Sequence, residues 1–219
     1  MKIFQIGFNK CGTTAIAKYY EARGLRAAHY ESGNLAKMIQ HNIDTDRHIL
    51  NNVAQFDVYT DMVYIDDDVH IEAFKHFREI DTQVQDAKFI LNVRNKKNWI
   101  DSCFRHPRFA ERMKSVYGYA TDEEVRAHWN NDWDRHIETV RNHFTGCNLL
   151  VFDIEKDSMS KIGKFAGIKE IQLPADKVRH NYTPGSLYRW LGRCMPTNVK
   201  AVVPNTIKNR LRYALRVRR

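Results

Sequence analysis

Residues 2–20 read KIFQIGFNKCGTTAIAKYY, and the rest of the chain is organised around them. Ile3, Phe4 and Ile6 form an apolar run that predicts a strand, Gly7 and Gly12 bracket a loop, and Thr13 and Thr14 open a helix with Ile16, Tyr19 and Tyr20 on one side. A strand that breaks at glycine and restarts as a helix turns several backbone N–H groups toward one point, where the helix dipole also favours negative charge. The stretch therefore predicts a phosphate cradle built from Asn9, Lys10, Cys11, Gly12, Thr13 and Thr14. The plainer alternative is a strand–turn–helix corner with no ligand, because short glycine motifs recur by accident.

Length and charge bound what the cradle can belong to. A chain of 219 residues holds one full α/β domain with a core of its own, residues 1–176, followed by an extension, residues 177–219. No window approaches the run of about 18 apolar residues that a membrane span needs. The N-terminus enters a strand at once, so a cytoplasmic location is expected. Four scattered cysteines, Cys11, Cys103, Cys147 and Cys194, form no C-x-x-C pair, which argues against a zinc knuckle or a disulfide framework. In the loop, Cys11 is either a thiol of lowered pKa or simply a small residue in a tight turn. The net charge of +9 is uneven: no acidic residue follows Asp176, and the extension holds eleven Lys/Arg, against 24 basic and 26 acidic side chains before it.

Further elements follow from periodicity. A first helix is expected over 13–23, a polar helix over 35–52, and a strand over 56–61 that ends at Asp61. Asp66, Asp67 and Asp68 precede Ile71, Phe74, Phe77 and Ile80 and read as the cap and first turn of a helix, where Asp is favoured electrostatically. Residues 88–93, KFILNV, are nearly continuous in apolar residues and predict a buried parallel strand, after which Arg94 leaves the strand end and Asn98 is placed to cap a helix carrying Ser102. This second strand–loop–helix corner suits an anion with phosphates at both ends. Trp129, Trp133, Ile137, Val140 and Phe144 form one stripe of a long helix over 122–144, with Trp129 or His128 able to edge an acceptor pocket. His128 and His136 have no third ligand at a recognisable spacing, so zinc is rejected. Residues 148–154 read as a last strand, with Glu155 capping the helix that follows, and residues 104–121 read as a cover or acceptor-binding segment.

The spacing Gly7-x-x-x-x-Gly12-Thr13-Thr14 resembles the P-loop of nucleotide-binding proteins, but Thr13 stands where that motif has its lysine, and the lysine has moved to Lys10. A loop without the Gly-Lys-Ser/Thr ending is poorly built to hold Mg²⁺ and a γ-phosphate, which counts against a kinase or ATPase. Taken together, GFNKCGTT and, some eighty residues later, LNVRNKKNWIDS resemble the two nucleotide-binding motifs of the sulfotransferases that use 3′-phosphoadenosine 5′-phosphosulfate (PAPS). The resemblance covers roughly residues 1–165, including LLVFDIEKDSMSKIGKFAGI. It implies an α/β fold of three layers, a mostly parallel central sheet with helices on both faces in the P-loop NTPase-like sulfotransferase architecture, with 177–219 packing on the same domain.

The resemblance also implies roles. The first loop would hold the 5′-phosphosulfate, with Lys10 supporting the leaving oxygen, while Arg94 and Ser102 would hold the 3′-phosphate and Arg179 would reach it from the late loop. PAPS would be the co-substrate, 3′,5′-diphosphoadenosine (PAP) the product, and no metal is expected, since a sulfuryl group carries less negative charge than a phosphoryl group. The acceptor, a small molecule or a carbohydrate, needs a base within reach, and Asp61, Glu31 and His29 stay open as candidates. In the tail, Ile207, Leu211 and Leu215 share a face flanked by Arg and Lys, which suits an anionic membrane surface or a solvated terminal helix. A nucleotide or small-molecule kinase and a non-catalytic nucleic-acid-binding or membrane-surface protein built on the basic tail are the alternatives, although nothing points to a specific nucleic acid.

Overall fold

The structure is a computed structural model that describes residues 1–168. Arg179 and the basic tail therefore lie outside the described residues. Five strands, β1 (Lys2–Gln5), β2 (Ala27–His29), β3 (Val58–Thr60), β6 (Ala87–Val93) and β7 (Leu149–Asp153), form one sheet in the order β2-β3-β1-β6-β7, and every pairing in it is parallel. A separate antiparallel hairpin joins β4 (Val63–Ile65) to β5 (His70–Glu72). The α/β class and the parallel central sheet expected from the sequence are present.

Alternate residues of the strands feed two separate apolar clusters, as the two-residue period of a strand requires. Ile3, Val58 and Ile90 pack with Ile16 and Tyr20 of α1 (Thr13–Glu21) and Ile162 of α7 (Ser160–Ala166). On the other face Phe4 stacks on Tyr59 at 4.8 Å and on Phe89 at 5.8 Å. That cluster takes in α2 (Asn34–Asp44), α3 (Phe77–Gln83), α4 (Lys96–Phe104), α5 (Phe109–Tyr117) and α6 (Asp122–His143). Helices thus cover both faces, an arrangement consistent with three layers. Among the described residues no helix is long and apolar enough to cross a membrane.

Four local expectations change. The polar helix stops at Asp44 because the buried Asn42 side chain turns to donate to the carbonyls of Ile49 (3.0 Å) and Asn51 (2.9 Å), folding residues 45–55 back as turns. Asp66 to Asp68 cap no helix: Asp66 Oδ1 accepts from the N–H groups of Asp68 and Val69 at 3.0 and 2.9 Å, and this turn closes the β4–β5 hairpin. The same residue types serve helix caps and such turns, and the pairing of Val63 with Glu72 decides between them. Asn95, not Asn98, caps α4, accepting from Asn98 N–H at 3.1 Å. Glu155 caps nothing, since α7 begins only at Ser160. In contrast, α6 starts as a capping box between Thr121 and Glu124, and α5 lies inside the segment expected to be a cover.

Candidate active site

The loop after β1 is fixed by polar side chains from two neighbouring strands and from α4. Asn92, fully buried near the end of β6, accepts the N–H of Gly7 at 3.0 Å and donates to the carbonyls of Cys11 (2.8 Å) and Phe8 (3.3 Å). Gln5, also buried, donates to Gly7 O and Asn92 Oδ1 and accepts the N–H of Asp61 at 2.9 Å. Trp99 Nε1 donates to Asn9 O at 3.0 Å. A buried network in which each group finds a partner holds one geometry firmly. A side chain at Gly7 would collide with the Asn92 carbonyl, so the close approach of loop to β6 demands glycine there. Gly12, with φ of 79°, is the N-cap of α1, and no side chain caps that helix, so its first N–H groups face the loop. Thr13 is buried and Thr14 exposed at this end.

The second corner lies against the first. Arg94 Nη1 donates to the carbonyl of Lys10 at 3.1 Å, which ties the two loops together. Its Nε and Nη2 both donate to Glu155 Oε1, at 3.2 and 2.9 Å. Glu155 also accepts from Asn95 N–H at 3.1 Å and Asn98 Nδ2 at 3.1 Å, and these bonds with Arg94 hold its carboxyl below the usual range. Ser102 is half-buried toward the C-terminal end of α4 and makes none of the bonds that hold Arg94.

Lys10, His29 and Asp61 are half-buried, and burial shifts the charged groups among them. Lys10 adopts φ of 60°, and burial pushes its ammonium pKa down, with Asp61 and then Cys103 pulling it back. Burial pushes the Asp61 carboxyl up, opposed first by His29 and then by Lys10, so the three groups share one field. Thr60 Oγ1 donates to Ala28 O at 3.2 Å, which leaves it to accept from His29 Nδ1 at 3.0 Å. In the tautomer with its proton on Nδ1, Nε2 accepts from Thr14 Oγ1 at 3.1 Å. His29 therefore has both nitrogens engaged. Glu31 is exposed, its Oε1 accepting only the His29 N–H at 3.4 Å, and it stands in a run of three residues with positive φ, Tyr30 (63°), Glu31 (48°) and Ser32 (56°), ahead of Gly33. Cys11 is fully buried and burial raises its thiol pKa well above the ordinary value, so it is a small residue in a tight turn and not an activated thiol.

The structure thus brings Lys10, Thr14, His29, Asp61 and Arg94 to the carboxyl edge of the sheet, where open α/β sheets bind ligands. His128 is bonded to Tyr119 at 2.8 Å, in the field of a group in which Lys75 pairs with Glu72 and Asp132. Four residues escaped the sequence reading. Gln5 and Asn92 carried a signal, a polar residue inside an apolar strand, whereas Glu155 was assigned to the wrong partner. The fourth, His106, follows α4 and is held to a pKa of about 4 by burial and then by Lys10 and Arg112, which places it within the field of Lys10. No protein-family model matches the chain, and no curated protein matches it.

Proposed function

We propose that this chain is a PAPS-dependent sulfotransferase of P-loop NTPase-like architecture, working in the cytoplasm on a hydroxyl or amine of a small-molecule or carbohydrate acceptor. The observation that carries the reading is the bond between Arg94 Nη1 and the Lys10 carbonyl at 3.1 Å. It puts two cationic corners side by side, close enough for one doubly phosphorylated nucleotide to touch both. The uncapped start of α1 and the glycine-closed loop fit a 5′-phosphate. Bound PAPS would supply the sulfuryl group, whose bond to the 5′-phosphate oxygen breaks as a new S–O or S–N bond forms to the acceptor.

The chain's own residues divide the remaining work. Lys10, with its ammonium partly desolvated, neutralises charge building on the leaving phosphate oxygen. Asp61 takes the acceptor proton: it lies beside Lys10 and burial makes it a stronger base than an ordinary aspartate. His29, engaged by Thr14 and Thr60, orients Thr14 at the loop. Glu31 is too exposed to serve as well.

The test is a binding and turnover panel with PAP, AMP and ATP·Mg²⁺. PAP should raise the melting point more than AMP at equal concentration, because only the ligand preferred by the folded state stabilises it. Lys10→Ala should lower turnover by at least about 100-fold, the scale of losing one electrostatic stabiliser, and leave PAP affinity nearly intact. Arg94→Ala should erase the preference for PAP over AMP. Equal wild-type affinity for the two nucleotides, or stabilisation by ATP·Mg²⁺ alone, would overturn the reading.

A further inference from the structure

Among the described residues Glu155 is the carboxylate that binds Arg94, and its placement was not expected from the sequence. It lies just beyond β7, whose final pairing sets Asp153 beside Val93 of β6 and so brings residue 155 opposite residues 94 and 95. The backbone N–H of Ile154 donates to the Val93 carbonyl at 2.9 Å, and Asp153 Oδ1 accepts the N–H of Glu155 at 2.9 Å, which fixes the chain leading into the carboxylate. From there Oε1 takes the Nε and Nη2 of Arg94 and the Nδ2 of Asn98, and Oε2 takes the N–H of Asn95.

A guanidinium has two edges that can grip an anion. Glu155 occupies the one formed by Nε and Nη2, and Nη1 is turned to the carbonyl of Lys10. Nη1 is thereby the nitrogen directed at the loop. An arginine has several rotatable bonds, and without a partner its head would sample many directions. We propose that Glu155 is a positioning and specificity residue: it aims Arg94 at the loop so that the enzyme prefers a nucleotide carrying a second phosphate, a proposal that rests on the nucleotide reading given above. The chemical class recognised is an adenosine nucleotide with phosphates at both the 5′ and 3′ positions.

A rival role for the same contact is competition, in which the carboxylate sits where the second phosphate must go. The two roles predict opposite signs. If Glu155 aims Arg94, its loss weakens binding of the 3′-phosphorylated nucleotide; if it competes, its loss tightens that binding.

The full chain is titrated calorimetrically with PAP and with AMP, as wild type, Glu155→Ala and Glu155→Gln. The expected result is a fall of about tenfold or more in PAP affinity for Glu155→Ala, with AMP affinity within about twofold of wild type. Glu155→Gln should keep the ratio of the two affinities within about threefold of wild type, because its amide oxygen can still accept both Arg94 bonds. Tighter PAP binding by Glu155→Ala, an unchanged ratio, or an equal fall for both nucleotides overturns the proposal. Should Glu155→Ala fail to fold, loss of the ratio in a folded Glu155→Gln overturns it equally well. A wild type without preference for PAP removes the nucleotide reading itself, and the role of Glu155 with it, which separates the two failures.

Discussion

Single residues set the geometry of the loop, and Asn92 does most. Its amide has two donors and one oxygen, and all are used in the interior, on Gln5, Gly7, Phe8 and Cys11. Replacing it with alanine takes the acceptor from two donors, on Gln5 and Gly7, and the donor from two carbonyls, all in the interior. Asn92→Ala should cost about 3 kcal/mol of stability, within the range for breaking a buried network, measured by urea unfolding. The loss at the site should exceed the loss of fold, so that PAP binding falls even at temperatures where the variant is native. Lys10 and Asp61 behave differently from Asn92, because the same burial that raises the carboxyl pKa lowers the ammonium pKa.

At the scale of elements, the segment between β2 and α2 stands out. Tyr30, Glu31 and Ser32 all take positive φ, a conformation that costs a non-glycine residue about 1–2 kcal/mol. Ser32 is exposed with φ of 56° and ψ of 31°, so Ser32→Gly should stabilise the protein by about 1 kcal/mol, seen as a raised melting temperature. The expectation fails if the melting point falls. The sequence made some elements plain and hid others, for physical reasons. The strands around Phe89 and Phe152 were legible because a parallel strand buried on both faces must be apolar almost throughout, and α6 because its aromatic stripe keeps a helical period. Asp66 and Glu155 were not legible. A carboxylate accepts from any nearby N–H, and its partner is chosen by strand register, here Val63 against Glu72 and Val93 against Asp153, which local spacing does not encode. The strand–loop–helix corner at residues 2–20 was readable from its apolar run and glycines, whereas the contact behind Arg94 depended on where β7 ends.

Across the whole molecule, charge pairing ties the sheet ends and hairpin together, and it has a pH signature. Asp57, Asp66, Glu124, Glu155 and Asp157 all have pKa values depressed by hydrogen bonds, and that of Asp66 is about 2. A carboxyl whose pKa is lower folded than unfolded contributes stability that is complete above its unfolded value, near 4, and that disappears as pH drops through the folded value. The protein should therefore lose stability progressively from about pH 4 to about pH 2, followed by circular dichroism in a pH series of urea melts. A flat profile over that interval would contradict the pairing. The sheet order also explains how the loop is held: β1 is central, β3 and β6 flank it, Asn92 near the end of β6 accepts the Gly7 N–H, and Asp61 just beyond β3 donates its N–H to Gln5.

The contact between Gly7 and Asn92 has a last implication. Because the first turn of the loop rests directly on a neighbouring strand with no room for even a methyl group, the seat and the sheet form one mechanical unit. Evolution or design can refurnish the surroundings at will, but enlarging the residue at position 7 would prise two strands apart.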